Sequence, residues 1–297
     1  MSTRGKTAAV LGGDRRMAEA VRFFVRAGLD VRVAGMPPEE RVAEARTCSA
    51  VDALSGACAV VLPVQGLSGD GRVFTQKGAP ECRVDLDGLR RMQRGATVFT
   101  GLGNPYIRGL CGEAGLALVE YREADEFAIW NSIPSAEGAI QMAMEATPFT
   151  LFGSRSLVLG FGRTGKALAL LLRGLHSDVT VVARDELDRA RTWAGGYRHI
   201  RWSRLLQAVA NTDVIFNTVP APVLTREVLQ AAPRHAVVID VASAPGGTDF
   251  EAAEELGLTA KLAPGLPGIV APVTAGKIIA GMVLRHLMGE PGEEEDW

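Results

Sequence analysis

The chain has 297 residues, 47% of them hydrophobic and 22% charged, enough to bury one large core or two ordinary ones. Its 32 basic and 34 acidic side chains nearly cancel, which argues against the broad cationic field that collects nucleic-acid phosphates. No apolar run approaches the ~20 residues of a bilayer-spanning helix, and MSTRGKTAAVLGG enters a strand and glycine turn without a signal-peptide core, so a cytoplasmic location is expected.

In chain order, TAAVLGG predicts a first strand, RRMAEAVRFFVRAG a helix closed by Gly28, and DVRVAG a second strand. CAVVLPV, ATVFTG and LALVEY predict three more strands. The intervening QGLSGDGRVFTQKGAPECRV is long for a connection inside a compact domain, and reads equally as a substrate-side lid or a disordered excursion. Cys48, Cys58, Cys82 and Cys111 all fall in this half, without a CxxC pair or a nearby His. They lack metal-site spacing and fit small core hydrophobes in a reducing compartment.

After NSIPSAEG, AIQMAMEA predicts an apolar helix, and then the pattern restarts. SLVLGFG, DVTVVAR, DVIFNTVP and AVVIDVAS are expected strands with amphipathic helices between them, and LTAKLAPG adds a short fifth. APVTAGKIIAGMVLRHLM predicts an apolar closing helix, and GEPGEEEDW a solvated, frayed acidic tail. This alternation is α/β: two doubly wound, Rossmann-like domains with parallel sheets. The expected bounds are 1–132 for a substrate-side domain, 133–272 for a dinucleotide-binding domain, and 273–297 for a helix and tail, the helix being free to return to the first domain.

The chemistry centres on LVLGFGRTGKALALLL, where Gly160, Gly162 and Gly165 match G-x-G-x-x-G between a strand and a helix. The first glycine permits a tight turn, the second lets a pyrophosphate approach the backbone, and the third lets helix and strand pack closely. Arg163 and Thr164 begin the helix, whose free N–H groups suit phosphate oxygens. The base choice falls about 20 residues on, at the end of the second strand, where NAD sites place an acid. VTVVARDELDR puts Arg184 there, suited to a 2′-phosphate and hence NADP. A shift of one residue gives the ribose to Asp185 and restores NAD; Asp185 also reads as a helix cap. FNTVP sets Asn217, Thr218 and Pro220 at a strand's carboxyl edge, lining a nicotinamide or simply ending the strand.

Two further segments carry candidates. VLGGDRRMAEA lacks the third glycine; its helix start fits a small carboxylate helped by Arg15 or Arg16, or a plain turn capped by Asp14. In NSIPSAEGAIQMAM, Ser132 or Ser135 is placed to cap a helix, with Pro134 in its first turn and Glu137 favouring its dipole. The same stretch joins the two expected domains, where a cleft would bring Asn131, Ser132 and Glu137 near a ligand, with Glu137 as the candidate general base.

The segments VLGGDRR, AIWNSIPSAEGAI, VLGFGRTG, NTVP, SAPGGTDF and APGLPGIVAPVTAG, in this order, resemble the A-type subunits of dipicolinate synthase over essentially the full length. The resemblance implies an oxidoreductase that converts dihydrodipicolinate to dipicolinate with NAD(P). It also implies the flavoprotein-like B-type subunit of that synthase as partner, and the mother-cell cytoplasm of a sporulating bacterium. A dianionic ring needs donors at two carboxylates, for which Arg16, Asn104, Asn131, Ser132, Ser135 and Arg163 are candidates. In PGLPGIVAPVTAG, Gly265, Gly268 and Thr274 either close the cleft near the nicotinamide or form a rigid connection.

No metal is expected, and a homo-oligomer is compatible with the sequence. Two other functions compete: a non-catalytic nucleotide-binding protein with a regulatory or scaffold role, and a 2-hydroxy-acid dehydrogenase-like enzyme. The latter would present an Arg after VVIDVASAPGG and a catalytic His. Ser243, Ala244 and Pro245 stand there instead, and His176, His199, His235 and His286 fall in no assignable motif.

Overall fold

The computed structural model describes residues 3, 5–243 and 245–289; the acidic tail beyond Gly289 lies outside the described residues. The chain forms two compact units, one of Met1–Trp130 with Ala271–Trp297 and the other of Asn131–Val270. The first unit holds β1 (Thr7–Leu11), β2 (Asp30–Ala34), β3 (Arg46–Thr47), β4 (Ala59–Val61), β5 (Thr97–Thr100) and β6 (Ala117–Glu120). The second holds β7 (Arg155–Leu159), β8 (Asp178–Ala183), β9 (Arg198–Arg201), β10 (Val214–Asn217), β11 (Val237–Asp240) and β12 (Thr259–Leu262).

Both sheets are parallel, with orders β3-β2-β1-β4-β5-β6 and β12-β11-β10-β7-β8-β9. In each, the order reverses beside the unit's first strand, between β1 and β4 and between β7 and β10. Such switch points open a crevice outside the carboxyl ends of the strands. Helices cover both faces, which is why the central strands are apolar throughout rather than alternating. Along β1, Ala8 and Val10 enter one core with Phe24, while Ala9 and Leu11 enter another with Leu62 and Val98.

Sequence patterning expected five strands in each half, and the structure has six in each sheet. The missed strands, β3 and β9, are both edge strands with charged residues. Short, charged edges guard against unwanted strand pairing, so the apolar signal that reveals inner strands is absent from them. Cys82 and Cys111 are core residues, and burial pushes their thiols up to about 12 and about 11.

The helix Pro272–Met288 belongs to the first unit, where Ile278, Ile279 and Val283 join the core built on β1 and the helix Arg15–Arg26. Gly276 permits this contact: a Cβ there would lie 2.5 Å from Glu19 Cβ and 2.7 Å from the Arg16 carbonyl oxygen.

Two local expectations need correction. Ser132 and Ser135 do not cap a helix, because one helix runs unbroken over Asp125–Ala146 with Pro134 in its interior. The acidic pair Asp125 and Glu126 suits the dipole at the true start, and DEFAIW adds enough apolar and helix-forming residues to extend it. Pro134 therefore costs one internal hydrogen bond, and the Ser135 hydroxyl donates back to the Asn131 carbonyl at 2.8 Å. The long glycine-rich loop is not a disordered excursion. Leu67, Val73, Cys82 and Val84 are buried, and bridges join Leu67 to Val73 and Arg72 to Arg83.

Candidate functional site

At the switch point of the second unit, β7 ends in a turn at Gly160, whose φ of +90° is left-handed and whose N–H donates to the Val182 carbonyl at 2.8 Å. A Cβ at Gly160 would meet Thr218 Oγ1 at 2.6 Å, and one at Gly165 would meet the Gly160 carbonyl oxygen at 2.2 Å. These two glycines let turn, helix and neighbouring strand end approach one another. Gly162 differs: nothing lies within 4 Å of a Cβ built there, and it precedes the helix Arg163–Gly174 without a side-chain cap.

The open space therefore faces the first N–H groups of a twelve-residue helix. Such a helix start could offer main-chain donors and the positive end of the helix dipole to an anion. Arg163 is exposed and Thr164 half-buried at the same helix start.

Next to the cradle, β8 ends at Ala183 and the exposed Arg184 follows. Asp185 caps the helix Glu186–Ala194, its Oδ1 accepting the Asp188 N–H at 2.7 Å. One oxygen of that carboxylate is thus used by the backbone, whereas Arg184 is exposed directly after the strand end.

The ends of β10 and β11 form a tightly bonded pair of loops. Thr218 Oγ1 donates to the Leu159 carbonyl at 2.8 Å, tying β10 to the glycine turn. Asn217, fully buried, accepts the Val219 N–H at 3.0 Å and donates to the Val219 carbonyl at 3.2 Å. Pro220 lies exposed just beyond. Asp240, which sequence reasoning missed, is also fully buried. Its carboxylate accepts the Ala242 N–H at 3.1 Å, the Gly247 N–H at 2.8 Å and the Thr248 hydroxyl at 2.6 Å.

The Gly247 carbonyl in turn accepts the Val223 and Leu224 N–H groups at 3.0 and 2.9 Å. Residues 245–249 are thereby explained as a loop folded around one buried carboxylate. A signal was present: an Asp ending an apolar strand, followed by Gly-Gly-Thr.

The equivalent crevice of the first unit is filled by its own chain. The Gly13 N–H donates to the Phe74 carbonyl at 2.7 Å, and a Cβ at Gly12 would lie 2.7 Å from that same oxygen. Asp14 caps the helix Arg15–Arg26 by accepting the Arg16 N–H, and its carboxylate also holds the Arg16 guanidinium through contacts of 2.6 to 3.0 Å. The anion expected at this helix start is thus supplied by Asp14, and Arg16 is buried rather than exposed.

Asn104 caps the helix Pro105–Ala114, and its Nδ2 donates to the Leu67 carbonyl at 2.7 Å, pinning the long loop. Tyr121 is buried nearby; burial raises its phenol well above the usual range, and its hydroxyl donates to the Leu62 carbonyl at 2.9 Å.

On the long helix, Ser132 is buried, Asn131 and Ser135 are half-buried, and Glu137 is exposed. At about 100° per residue, Glu137 points roughly 140° away from Ser132 around the axis. The unbroken helix therefore divides Glu137 from Asn131 and Ser132 instead of grouping the three. Gly265 has open space around it, Gly268 is buried in the short helix Leu266–Val270, and Thr274 is exposed in the first turn of Pro272–Met288.

Comparisons with known proteins agree with this layout. The family of N-terminal domains of the dipicolinate synthase A-type subunit matches residues 7–122, and NADP oxidoreductase coenzyme F420-dependent matches residues 157–244. The chain is 36% identical over 293 residues to the A-type subunit of dipicolinate synthase from Bacillus subtilis, covering 98% of each chain. It is similar to the crystal structure of the A-type subunit of dipicolinate synthase from Bacillus halodurans, with a TM-score of 0.89, 36% identity, and 98% and 100% of the two chains covered. The apo-structure of D-lactate dehydrogenase from Escherichia coli shares the fold, with a TM-score of 0.64 at 15% identity over 96% of this chain and 98% of that one.

Proposed function

The chain belongs to the family of dipicolinate synthase A-type subunits, and from that premise we propose that it oxidises dihydrodipicolinate to dipicolinate with a nicotinamide dinucleotide, NADP in preference to NAD. The observation that carries the reading is the uncapped helix start at Gly162, open to a pyrophosphate and flanked by Arg184 at the neighbouring strand end. When bound, the nicotinamide supplies the hydride acceptor. Aromatisation releases one hydride and one proton, so the substrate-side groups need to orient the ring and take up only the proton.

Gly160, Gly162, Arg163, Thr164 and Gly165 would hold the pyrophosphate, and Arg184 a 2′-phosphate. Thr218 and Pro220 would border the nicotinamide on loops set by Asn217 and Asp240. Asn131, Ser132, Ser135 and Thr274 are proposed to position the ring carboxylates, with Gly265 and Gly268 giving backbone access. Glu137, which the long helix turns away from Asn131 and Ser132, is proposed as the proton acceptor separately from these groups, with loss of turnover in Glu137→Gln as its test. Arg16 and Asn104 would act on the substrate side through the groups they hold. We further propose that the synthase's B-type subunit is the partner, and that the pair serves spore dipicolinate production in the mother-cell cytoplasm.

The histidines favour this reading over hydroxy-acid dehydrogenation. His235 does meet a carboxylate, with Nε2 2.9 Å from Asp213 Oδ1. Both residues precede their strands, however, so the pair sits at the amino edge of the sheet, away from the glycine turn. His286 packs edge-on against Phe99 in the first unit.

The deciding experiment supplies purified chain, with and without the B-type subunit, with enzymatically generated dihydrodipicolinate and NADP. Dipicolinate absorbance rising together with NADPH is expected. Product without nicotinamide reduction would remove the hydride-acceptor role, and NADP binding without turnover in both mixtures would assign the chain a regulatory role.

A further inference from the structure

The second unit has another concavity, of about 830 Å³, that the dinucleotide reading does not use. It is lined by Arg155, Arg189, Arg198, Arg201 and Arg204, with Asp178 as its one acidic wall residue. All four residues of β9 contribute, and successive strand residues face opposite sides of a sheet. The cavity therefore wraps around β9, the edge strand. Arg155 begins β7 and Leu159 precedes the glycine turn, so the Arg155 end of the cavity lies roughly 13 Å of strand from the cradle, while the other end reaches Arg201, which pairs with Ala183 beside Arg184.

The guanidinium groups differ in how firmly they are held. Arg155 is committed, with Nη2 2.6 Å from Asp213 Oδ1. Arg198 reaches Asp178 only at 3.4 Å, and Arg201 reaches Glu186 at 3.3 Å, both long for charge-assisted bonds. Glu186 also pairs with Arg189, so one carboxylate serves two arginines. Arg204 has no carboxylate partner among the described residues.

Exposed pairs of this kind contribute little and are readily exchanged for a better acceptor. Gln207 and Asn211 add side-chain donors on the helix side, and His199 contributes a buried Nε2 without a hydrogen-bond partner. A volume of this size suits a compact ligand, and planar guanidinium forks suit phosphate and carboxylate oxygens.

We propose that this cavity binds a small oligoanion bearing two or more phosphate or carboxylate groups, at a site separate from the dinucleotide cradle. The ligand bridges Arg198 and Arg204, and Asp178 is the carboxylate it displaces. The site does not depend on the chain's catalytic role.

The test is calorimetric titration of the full chain, at fixed ionic strength, with inorganic tripolyphosphate and separately with citrate. Saturable binding of either anion is expected, and it persists when NADP is present. Tripolyphosphate alone would identify a phosphate ligand, citrate alone a polycarboxylate, and both together a site selective for charge. The double variant Arg198→Glu/Arg204→Glu should weaken binding about tenfold or more, with the single variant Arg204→Ala as a milder check if the double variant melts early. No heat from either anion at about millimolar concentration, equal binding by Arg204→Ala and the native chain, or competition with NADP would overturn the proposal.

Discussion

Asp240→Asn perturbs the loops beside the cradle with almost no change of shape. The native carboxylate receives three donors: Ala242 N–H on Oδ1, and Gly247 N–H and the Thr248 hydroxyl on Oδ2. An asparagine retains most by keeping its oxygen toward Gly247 and Thr248, which turns its amide hydrogens toward the Ala242 N–H. One hydrogen bond is then lost, two donors face each other in a fully buried site, and the remaining bonds lose their charge. We expect a loss of about 2–4 kcal/mol, from an unsatisfied buried donor plus weaker acceptors.

For a unit of this size that corresponds to a fall of roughly 7–14 °C in its melting temperature. Because Gly247 ties this carboxylate to residues 223 and 224, the loops after β10 should loosen and NADP affinity should fall with stability. Thr248→Val removes one donor and should cost about 1 kcal/mol, less than additively with Asp240→Asn. Thermal melts with and without NADP measure both effects. A change below about 1 kcal/mol for Asp240→Asn, with unaltered cofactor affinity, would refute the idea that this carboxylate holds the loops.

Arg184→Ala should raise the Kd for NADP about tenfold or more while leaving NAD nearly unchanged; equal losses by fluorescence titration would remove Arg184 from the 2′-phosphate. Glu137→Gln should lower turnover by about 10²-fold or more with cofactor affinity intact, and an undiminished rate would eliminate it as the essential base. Calorimetry should count one NADP per chain; a second would mean that the self-filled turn at Gly12 and Gly13 opens. The Arg155 guanidinium, with help from His235, holds the Asp213 carboxyl well below the usual carboxylate range. A lowered folded pKa stabilises fully above the unfolded value of about 4, and that stabilisation is lost as pH falls from there toward the folded value. The stability gap between the native chain and Asp213→Asn should therefore narrow as pH drops from about 4 to 3, and a constant gap would contradict the assignment.

The inner strands and the glycine turn were legible because burial on both sheet faces demands continuous apolar runs, and a close turn demands glycine. Three features escaped for definite reasons. β9 is polar because it is an edge, so periodicity could not find it. The long helix crosses a proline that local rules treat as a start, since propensity arguments weigh one turn and not the packing of twenty-two residues. Asp240 looked like one acid among many, because its importance lies in three donors from a loop that follows it. The resemblance to known sequences reached the family, but it could not tell which loop residues bind a ligand and which merely hold the loop.

The two sheets share one strand order and diverge in what meets the main-chain donors at the switch point. In the second unit the helix start at Gly162 lacks a cap, so its N–H groups remain available to an anion from outside. In the first, Asp14 brings the anion within the chain, and the Phe74 carbonyl takes the Gly13 N–H. A ligand at that turn would have to displace both a carboxylate and a backbone segment whose neighbours Val73 and Cys82 are buried. Arg16 is subject to the same competition, because a substrate carboxylate reaching for its Nε or Nη2 must first break a bidentate, largely buried pair. Arg16 therefore contributes most by fixing Asp14 and the start of its helix. Any recognition of a dianionic ring by the first unit must come from donors at its rim, since the main chain there is already satisfied.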